Sequence, residues 1–258
     1  EWGELFAAAG ARYVVLTTKH HDGFTLWPSS IANPNRPADQ QGARRDLVGE
    51  LTEAVRGHGM RMGLYYSGGI DWSFNDTLID GPGILRTTAV PRTEEYARYV
   101  DAHWRELIDR YQPDILWWDT PRWMNKARAD RLIPLVALRP GIILNNRLGG
   151  GYKGDTETPE QHIPATGFKD RDWEVCMTMN DTWGYKKNDH DWKEPRDLIC
   201  KLADIVSKGG NYLLNIGPDA EGVVPPESRV LEVQVEPSAS ECCWAVEPAR
   251  DFVAPVVF

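Results

Sequence analysis

Five short apolar runs, each closed by polar or glycine residues, set the tightest limit on what this chain can fold into. They are Tyr13-Val14-Val15-Leu16-Thr17, Met60-Arg61-Met62-Gly63-Leu64-Tyr65-Tyr66, Ile115-Leu116-Trp117-Trp118, Ile142-Ile143-Leu144 and Tyr212-Leu213-Leu214-Asn215-Ile216. A strand that stays apolar without alternation is one covered on both faces, as in a parallel sheet. The first run is expected to end near Lys19. Stretches with a helical repeat lie between the runs. Leu47, Leu51, Ala54 and Val55 share a face of a helix predicted over 46–58, which Gly57 and Gly59 stop. Tyr96, Tyr99, His103, Leu107 and Tyr111 mark a second over 94–111. Leu198, Ile199, Leu202, Ile205 and Val206 mark a third over 196–207, with Pro195 near its first turn and Gly209-Gly210 beyond its end. Strand and helix in alternation mean α/β with a parallel sheet.

A closed barrel and an open doubly wound sheet both satisfy that alternation, so the position of the polar residues decides. His20-His21-Asp22, Tyr65-Tyr66-Ser67, Asp119 and Asn145-Asn146-Arg147 all follow the C-terminal ends of predicted strands, where barrel enzymes build their sites. No GxGxxG follows any strand, which argues against a dinucleotide-binding sheet. The expectation is a (β/α)8-like barrel, and 258 residues suit one large domain.

A net charge of −9 opposes binding to a polyanion such as nucleic acid. No apolar run approaches the roughly 20 residues that cross a bilayer, so no membrane segment is expected. Cys176, Cys200, Cys242 and Cys243 show neither CxxC spacing nor a disulfide framework. Eleven Trp and nine Tyr fit a neutral sugar as ligand, because aromatic faces cover the apolar face of a pyranose ring, although most such rings serve as core.

Lys19-His20-His21-Asp22-Gly23-Phe24 brings two imidazoles and a carboxylate to the mouth of a strand. Neighbouring strand residues point to opposite sides, so one metal ion explains the pair poorly. Hydrogen bonding to a polyhydroxylated ligand suits it better; two inert histidines tied to backbone carbonyls are the alternative. Asp119 closes an apolar strand, where a carboxylate is costly unless paired or used. It is a candidate nucleophile, or else a cap for the Thr120-Pro121 turn. Glu157, Glu160 and Glu174 are its possible carboxyl partners, since a pair about 5–5.5 Å apart supports double displacement with retention.

The segments YVVLTTKHHDGFTLW, GLYYSGGIDW, DILWWD, TPEQ, the WGY within Asp181 to Tyr185, and SKGGNYLLNIGPDAEGVVP resemble, in order, landmarks of glycoside hydrolase family 29, the α-L-fucosidases. The resemblance spans roughly Tyr13 to Pro225. It implies an exo-acting, retaining fucosidase on a (β/α)8-type (TIM) barrel, with Asp119 as nucleophile and Glu160 as acid/base, Glu174 being the second choice. It further implies that His20, His21 and Tyr65 bind fucose, that Arg147 lies near the anomeric centre, and that Trp117 and Trp183 form aromatic walls. No metal or organic cofactor is expected. The implied partners are fucosylated glycans or glycoproteins, and the implied compartment is secreted, periplasmic or lysosomal, with a cytoplasmic one as the alternative. A catalytically inactive fucose-binding fragment is the competing reading.

Where the sequence departs from the family pattern, it does so at both ends. The chain opens at Glu1-Trp2-Gly3, past the first barrel strand with its His-Trp-Gly motif and past a Glu-Trp pair that would add sugar contacts. The barrel is therefore expected to be incomplete, lacking the first strand and the C-terminal β-sandwich. Residues 1–229 are expected to form the partial catalytic domain. Residues 230–258, interrupted by Pro237, Pro248 and Pro255, form an atypical tail, for which a reading-frame error, an incomplete gene or an aberrant splice is the expected origin.

Overall fold

A computed structural model describes residues 1–77, 86–119, 125–232 and 256–257. In chain order its elements are α1 (Trp2–Ala8), β1 (Tyr13–Lys19), α2 (Leu47–Gly57), β2 (Arg61–Ser67), α3 (Arg86–Ala89), α4 (Glu94–Tyr111), β3 (Ile115–Asp119), α5 (Lys126–Val136), β4 (Ile143–Leu144), β5 (Thr156–Glu157), β6 (Asp172–Thr178), α6 (Pro195–Ser207), β7 (Asn211–Asn215) and β8 (Val256–Val257). The chain divides into two compact units. One comprises residues 15–57 and 61–157, the other residues 1–14, 58–60 and 158–258.

In the first unit β1, β2, β3 and β4 are neighbours in that order. The β2–β3 ladder is parallel and sets Tyr65 opposite Trp117 and Ser67 opposite Asp119. The β3–β4 ladder is parallel too, and Asn145, just past β4, makes a parallel bridge to Thr156 of β5. As the unbroken apolar runs predict, Val14, Val15, Met62, Leu64, Leu116 and Trp118 are all buried. Helix α4 starts where the Thr93 side chain accepts a hydrogen bond from the Tyr96 backbone N–H, which satisfies one of the orphan donors of the first turn. Its apolar face carries Tyr96, Val100, Trp104 and Leu107, each essentially inaccessible, and the Trp104 ring meets Trp118 edge-on at 5.0 Å. Burying such faces supplies roughly 1.5–3 kcal/mol per large side chain.

In the second unit β8, β7 and β6 are neighbours. β6 pairs with β7 in parallel from Glu174↔Asn211 to Thr178↔Asn215, and β7 pairs with β8 in parallel. Glu160 adds an isolated parallel bridge to Cys176. Trp173 is fully buried, and a Cβ on Gly210 would lie 2.5 Å from its indole, so the close approach there requires glycine.

The predicted strands and the three predicted helices are present within a few residues. β1 does end at Lys19, carrying Thr18 and Lys19 as buried polar residues. Six elements were not expected: α1, α3, α5, β5, β6 and β8. β6 reads Asp-Trp-Glu-Val-Cys-Met-Thr, and Glu174, near its start, disguises a buried strand; Tyr13 Oη donates to Glu174 Oε2 at 2.6 Å. α5 holds Pro134 inside it, which reads as a helix breaker. α1 and the two-residue β5 carry little periodic signal. Of the atypical tail, 233–255 and 258 lie outside the described residues, as do Cys242 and Cys243; Val256–Val257 form β8. Cys176 and Cys200 are not joined in a disulfide. No described helix is long and apolar enough to cross a membrane.

Glu106 on α4 fastens the long connection after β1. Its carboxylate accepts from Trp27 Nε1 at 2.8 Å, Ser29 Oγ at 2.5 Å, and the backbone N–H and hydroxyl of Ser30 at 2.9 and 2.8 Å. Burial alone would raise its pKa, but these hydrogen bonds outweigh burial and hold it at about 2. The folded value lies below the ordinary 4.5, so the unfolded chain binds more protons in between. The stabilisation is complete above pH 4.5 and is lost as the pH falls through about 2. Glu106→Gln is therefore expected to cost ~1–3 kcal/mol near neutral pH and to flatten the fall of Tm between those pH values. Thermal scans that show the parent's acid dependence unchanged in the variant would contradict this role.

Candidate active site

Asp119 is the last residue of β3, and the register of the sheet places it beside Ser67 at the end of β2. Both oxygens of its carboxylate are engaged. Tyr65 Oη donates to Oδ2 at 2.7 Å, and Arg147 Nη1 donates to Oδ1 at 3.0 Å. The Asp119 and Arg147 side chains are only 17% and 14% exposed, so the ion pair sits where water screens it weakly. A guanidinium and a phenol hydroxyl in such a place both favour the charged form of a carboxylate.

Arg147 is delivered by the turn after β4, and Asn145 fixes where that turn begins. The Asn145 side chain, wholly buried, accepts from the backbone N–H of Trp118 at 3.0 Å and donates to the carbonyl of Trp118 at 2.9 Å. The backbone just before Asp119 is thus clamped by an amide from the neighbouring segment. Past Asn145, Asn146 donates to Glu157 Oε2 at 2.5 Å. The Arg147 guanidinium lies 4.5 Å from the centre of the Trp117 ring, a cation–π contact that keeps the charge over an apolar wall.

An unbroken row of rings runs from this ion pair toward solvent. Trp117 stacks on Tyr65 at 5.5 Å, Tyr65 on His20 at 5.8 Å, and His20 on His21 at 4.0 Å, while His21 meets the exposed Trp72 edge-on at 5.8 Å. The stacking of the two histidines corrects the expectation that they point to opposite sides. Strand alternation ends with Lys19, and the Gly23 N–H donates back to the His20 carbonyl at 3.1 Å in a tight turn that brings both rings to one side. Gly23 adopts φ +78°, and a Cβ there would lie 2.6 Å from Asp71 Oδ1, so the turn accepts only glycine without strain. Desolvation lowers the pKa of His20. Desolvation, with the His20 ring adding to it, lowers that of His21 to about 3.

Two groups behind the histidines were noted in the sequence only as parts of motifs. Lys19 and Asp71 form an ion pair at 2.7 Å with neither side chain exposed at all. Burial pulls the Lys19 ammonium below its ordinary pKa, against the opposing pull of Asp71. Asp71 Oδ1 also accepts from the backbone N–H and hydroxyl of Ser73 at 3.0 and 2.5 Å, and the Trp72 N–H donates to the His21 carbonyl at 2.7 Å. The turn after β1 and the turn after β2 are thereby fastened together. The signal available in the sequence was a lysine and an aspartate each abutting a site motif.

The second unit holds the remaining expected residues. Glu160 is exposed, and its strand-like segment is pinned to β6: the Gln161 N–H donates to the Cys176 carbonyl at 3.0 Å and the Cys176 N–H to that of Pro159 at 3.2 Å. Glu174, buried and bonded to Tyr13, lies near the start of β6 rather than at its C-terminal end. Trp183 is 37% exposed, in a loop whose backbone passes within 3.3 Å of where a Cβ on Gly217 would be. Thr120-Pro121, the turn that Asp119 would cap in the alternative reading, lies outside the described residues.

The profile of the family described as Alpha-L-fucosidase matches residues 1–233. Human tissue alpha-L-fucosidase is 35% identical over 265 residues, covering 97% of this chain and 55% of that protein. A crystal structure of Thermotoga maritima alpha-fucosidase in complex with fucose is 38% identical and superposes with a TM-score of 0.76, covering 90% of this chain and 53% of its own. A GH29 alpha-L-fucosidase of Bacteroides thetaiotaomicron, trapped as a covalent intermediate with 2-fluoro-fucosyl fluoride, is 29% identical with a TM-score of 0.74, covering 90% and 57%. The chain spans about half the length of the curated relatives it matches. An α/β fold that superposes on solved fucosidases, and a profile match over nearly the whole described sequence, establish that this chain belongs to the alpha-L-fucosidase family.

Proposed function

We propose that this chain is the catalytic part of an exo-acting, retaining α-L-fucosidase that removes terminal α-L-fucose from oligosaccharides or glycoconjugates, built on a (β/α)8-type barrel. The observation that carries the reading is the Asp119 carboxylate at the end of β3, held by Tyr65 and Arg147 beside aromatic rings. Parallel ladders with intervening helices support the barrel.

Asp119 attacks the anomeric carbon and the bond to the leaving oxygen breaks, giving a fucosyl ester of Asp119. Glu160 as a carboxylic acid donates its proton to that oxygen. Glu160 as a carboxylate then takes a proton from water, whose oxygen attacks the anomeric carbon and frees Asp119. The trapped covalent intermediate of the Bacteroides thetaiotaomicron relative supports a two-step course. Glu160 is preferred because it is exposed on a pinned segment, whereas Glu174 is buried against Tyr13. Glu157 is bonded to Asn146.

In the first step the charge of Asp119 is consumed while positive charge grows on the sugar ring. Arg147 and Tyr65 hold the carboxylate ionised and aimed beforehand, so little reorganisation is left for the moment of attack. His20, His21 and Tyr65 offer hydrogen bonds to fucose hydroxyls, and Trp117 and Trp183 offer apolar faces. None of these roles calls on a metal ion or an organic cofactor.

Asp119→Gly is expected to reduce turnover of an aryl α-L-fucoside by roughly 10³-fold or more. Added azide should then restore product as the β-fucosyl azide, the anion entering from the face the carboxylate has vacated. Full activity in this variant would remove Asp119 from the mechanism. Glu160→Ala is expected to slow fucosides of poor leaving groups far more than those of good ones, because only the former need protonation; if Glu174→Ala shows that split and Glu160→Ala does not, the assignment passes to Glu174. The imidazole of His21, with its pKa at about 3, is expected to show no titration between about pH 5 and 8 when followed by NMR, and a midpoint near the ordinary value would refute the description of its surroundings.

A further inference from the structure

Neutral histidine exists in two tautomers, and its hydrogen-bond partners decide between them. His21 Nδ1 lies 2.7 Å from Ser67 Oγ. That hydroxyl has one proton, and it is already committed, because Ser67 Oγ donates to the carbonyl of Ile70 at 2.8 Å. A carbonyl oxygen has no proton to give, so the direction of this bond is not open to choice. Toward His21 the hydroxyl therefore has only a lone pair to offer, and a close contact with another bare nitrogen lone pair would be repulsive. The proton between them must come from His21.

The surroundings hold this relay firmly. Ser67 is fully buried at the end of β2, in register with Asp119 across the ladder. The carbonyl of Ile70 belongs to the turn that Asp71 fastens through its ion pair with Lys19, and the next residue, Trp72, donates its N–H to the His21 carbonyl. His21 is thus gripped through its backbone and through one ring nitrogen by the same turn. Its Nε2, on the opposite edge of the ring, has no hydrogen bond among the described residues.

We propose that Ser67 is a positioning residue that locks His21 as the Nδ1–H tautomer, so that Nε2 is an acceptor and takes a hydrogen bond donated by one hydroxyl of the bound sugar. The inference deepens the fucosidase reading and rests on it for the identity of the ligand. Its consequence is a rule of specificity. At the position that meets His21 the ligand must donate, so a hydroxyl is accepted, while a fluorine, which only accepts, is refused as firmly as a hydrogen. Had Nε2 carried the proton, fluorine would have been a tolerable replacement.

The test uses long-range 1H–15N NMR of the chain labelled at histidine nitrogen, with His21→Gln to assign the signals. The expected spectrum has the protonated, pyrrole-type shift at Nδ1 and the bare, pyridine-type shift at Nε2; in Ser67→Ala the Nε2–H form should become populated. A wild-type His21 protonated at Nε2 overturns the proposal, even if Ser67→Ala fails to fold. Binding of L-fucose and its monodeoxy and monofluoro analogues gives a second reading. At one ring position both replacements should weaken binding by about tenfold, whereas fluoro analogues that bind like fucose at every position overturn it as well. Failure of L-fucose itself to bind counts against the fucosidase reading, while the nitrogen shifts still decide the tautomer.

Discussion

The ion pair between Asp119 and Arg147 is the constraint around which the first unit is arranged. A carboxylate at the end of a strand made of Ile115, Leu116, Trp117 and Trp118 sits among apolar side chains, where its charged form is disfavoured unless an opposite charge is near. The guanidinium that supplies this charge comes from a different strand connection, so β3 and β4 must hold a fixed register for the pair to form. The rest follows from that demand. Asn145 clamps the backbone at Trp118, Gly68 lets the chain after β2 run against the Trp118 indole, from which a Cβ there would lie only 1.9 Å, and Trp104 of α4 meets the same indole edge-on.

Polarity in this region is graded. Deepest lies the Lys19–Asp71 pair, with no exposure at all. An ion pair so placed recovers little net stability, since desolvation offsets most of the attraction, and well-packed apolar residues often do as well. What apolar residues lack is direction: the pair joins two turns at one definite spacing. Above it come the neutral imidazoles, then Trp72 at the surface. Their lowered pKa values keep the histidines from adding positive charge near neutral pH beside the Asp119–Arg147 pair.

Much of this was legible in the sequence, and the reason is local. The strands of the first unit are unbroken apolar runs, and each ends in the polar residues that the structure gathers, so His20, His21, Tyr65, Asp119 and Arg147 declared themselves by position. What stayed hidden needed partners distant along the chain. β6 was obscured because Glu174 finds a partner in Tyr13, far away along the chain, and α5 because Pro134 lies inside it. The stacking of His20 on His21 could not be read from strand alternation, because alternation stops one residue earlier. Ser67 looks like any serine at a strand end until its hydroxyl is seen to donate to the Ile70 carbonyl while lying 2.7 Å from His21 Nδ1.

The two hydrogen bonds from Asn145 to the backbone of Trp118 have an evolutionary consequence. A side-chain amide carries the same donor and acceptor as a peptide group, so Asn145 completes the edge of β3 as a further residue of β4 would, and β4 proper needs only Ile143 and Leu144. After Asn145 the main chain turns from β3 to β5, where the Asn146 N–H donates to the Thr156 carbonyl and the Asp155 N–H to that of Leu144. The stretch between Arg147 and Asp155 is thus tied down at both ends and makes its own turn in between, where the Tyr152 N–H donates to the Gly149 carbonyl. Insertions, deletions and exchanges can accumulate inside that turn while the Asp119 carboxylate stays where it is, which gives a family a means of varying the surface around an unmoved centre.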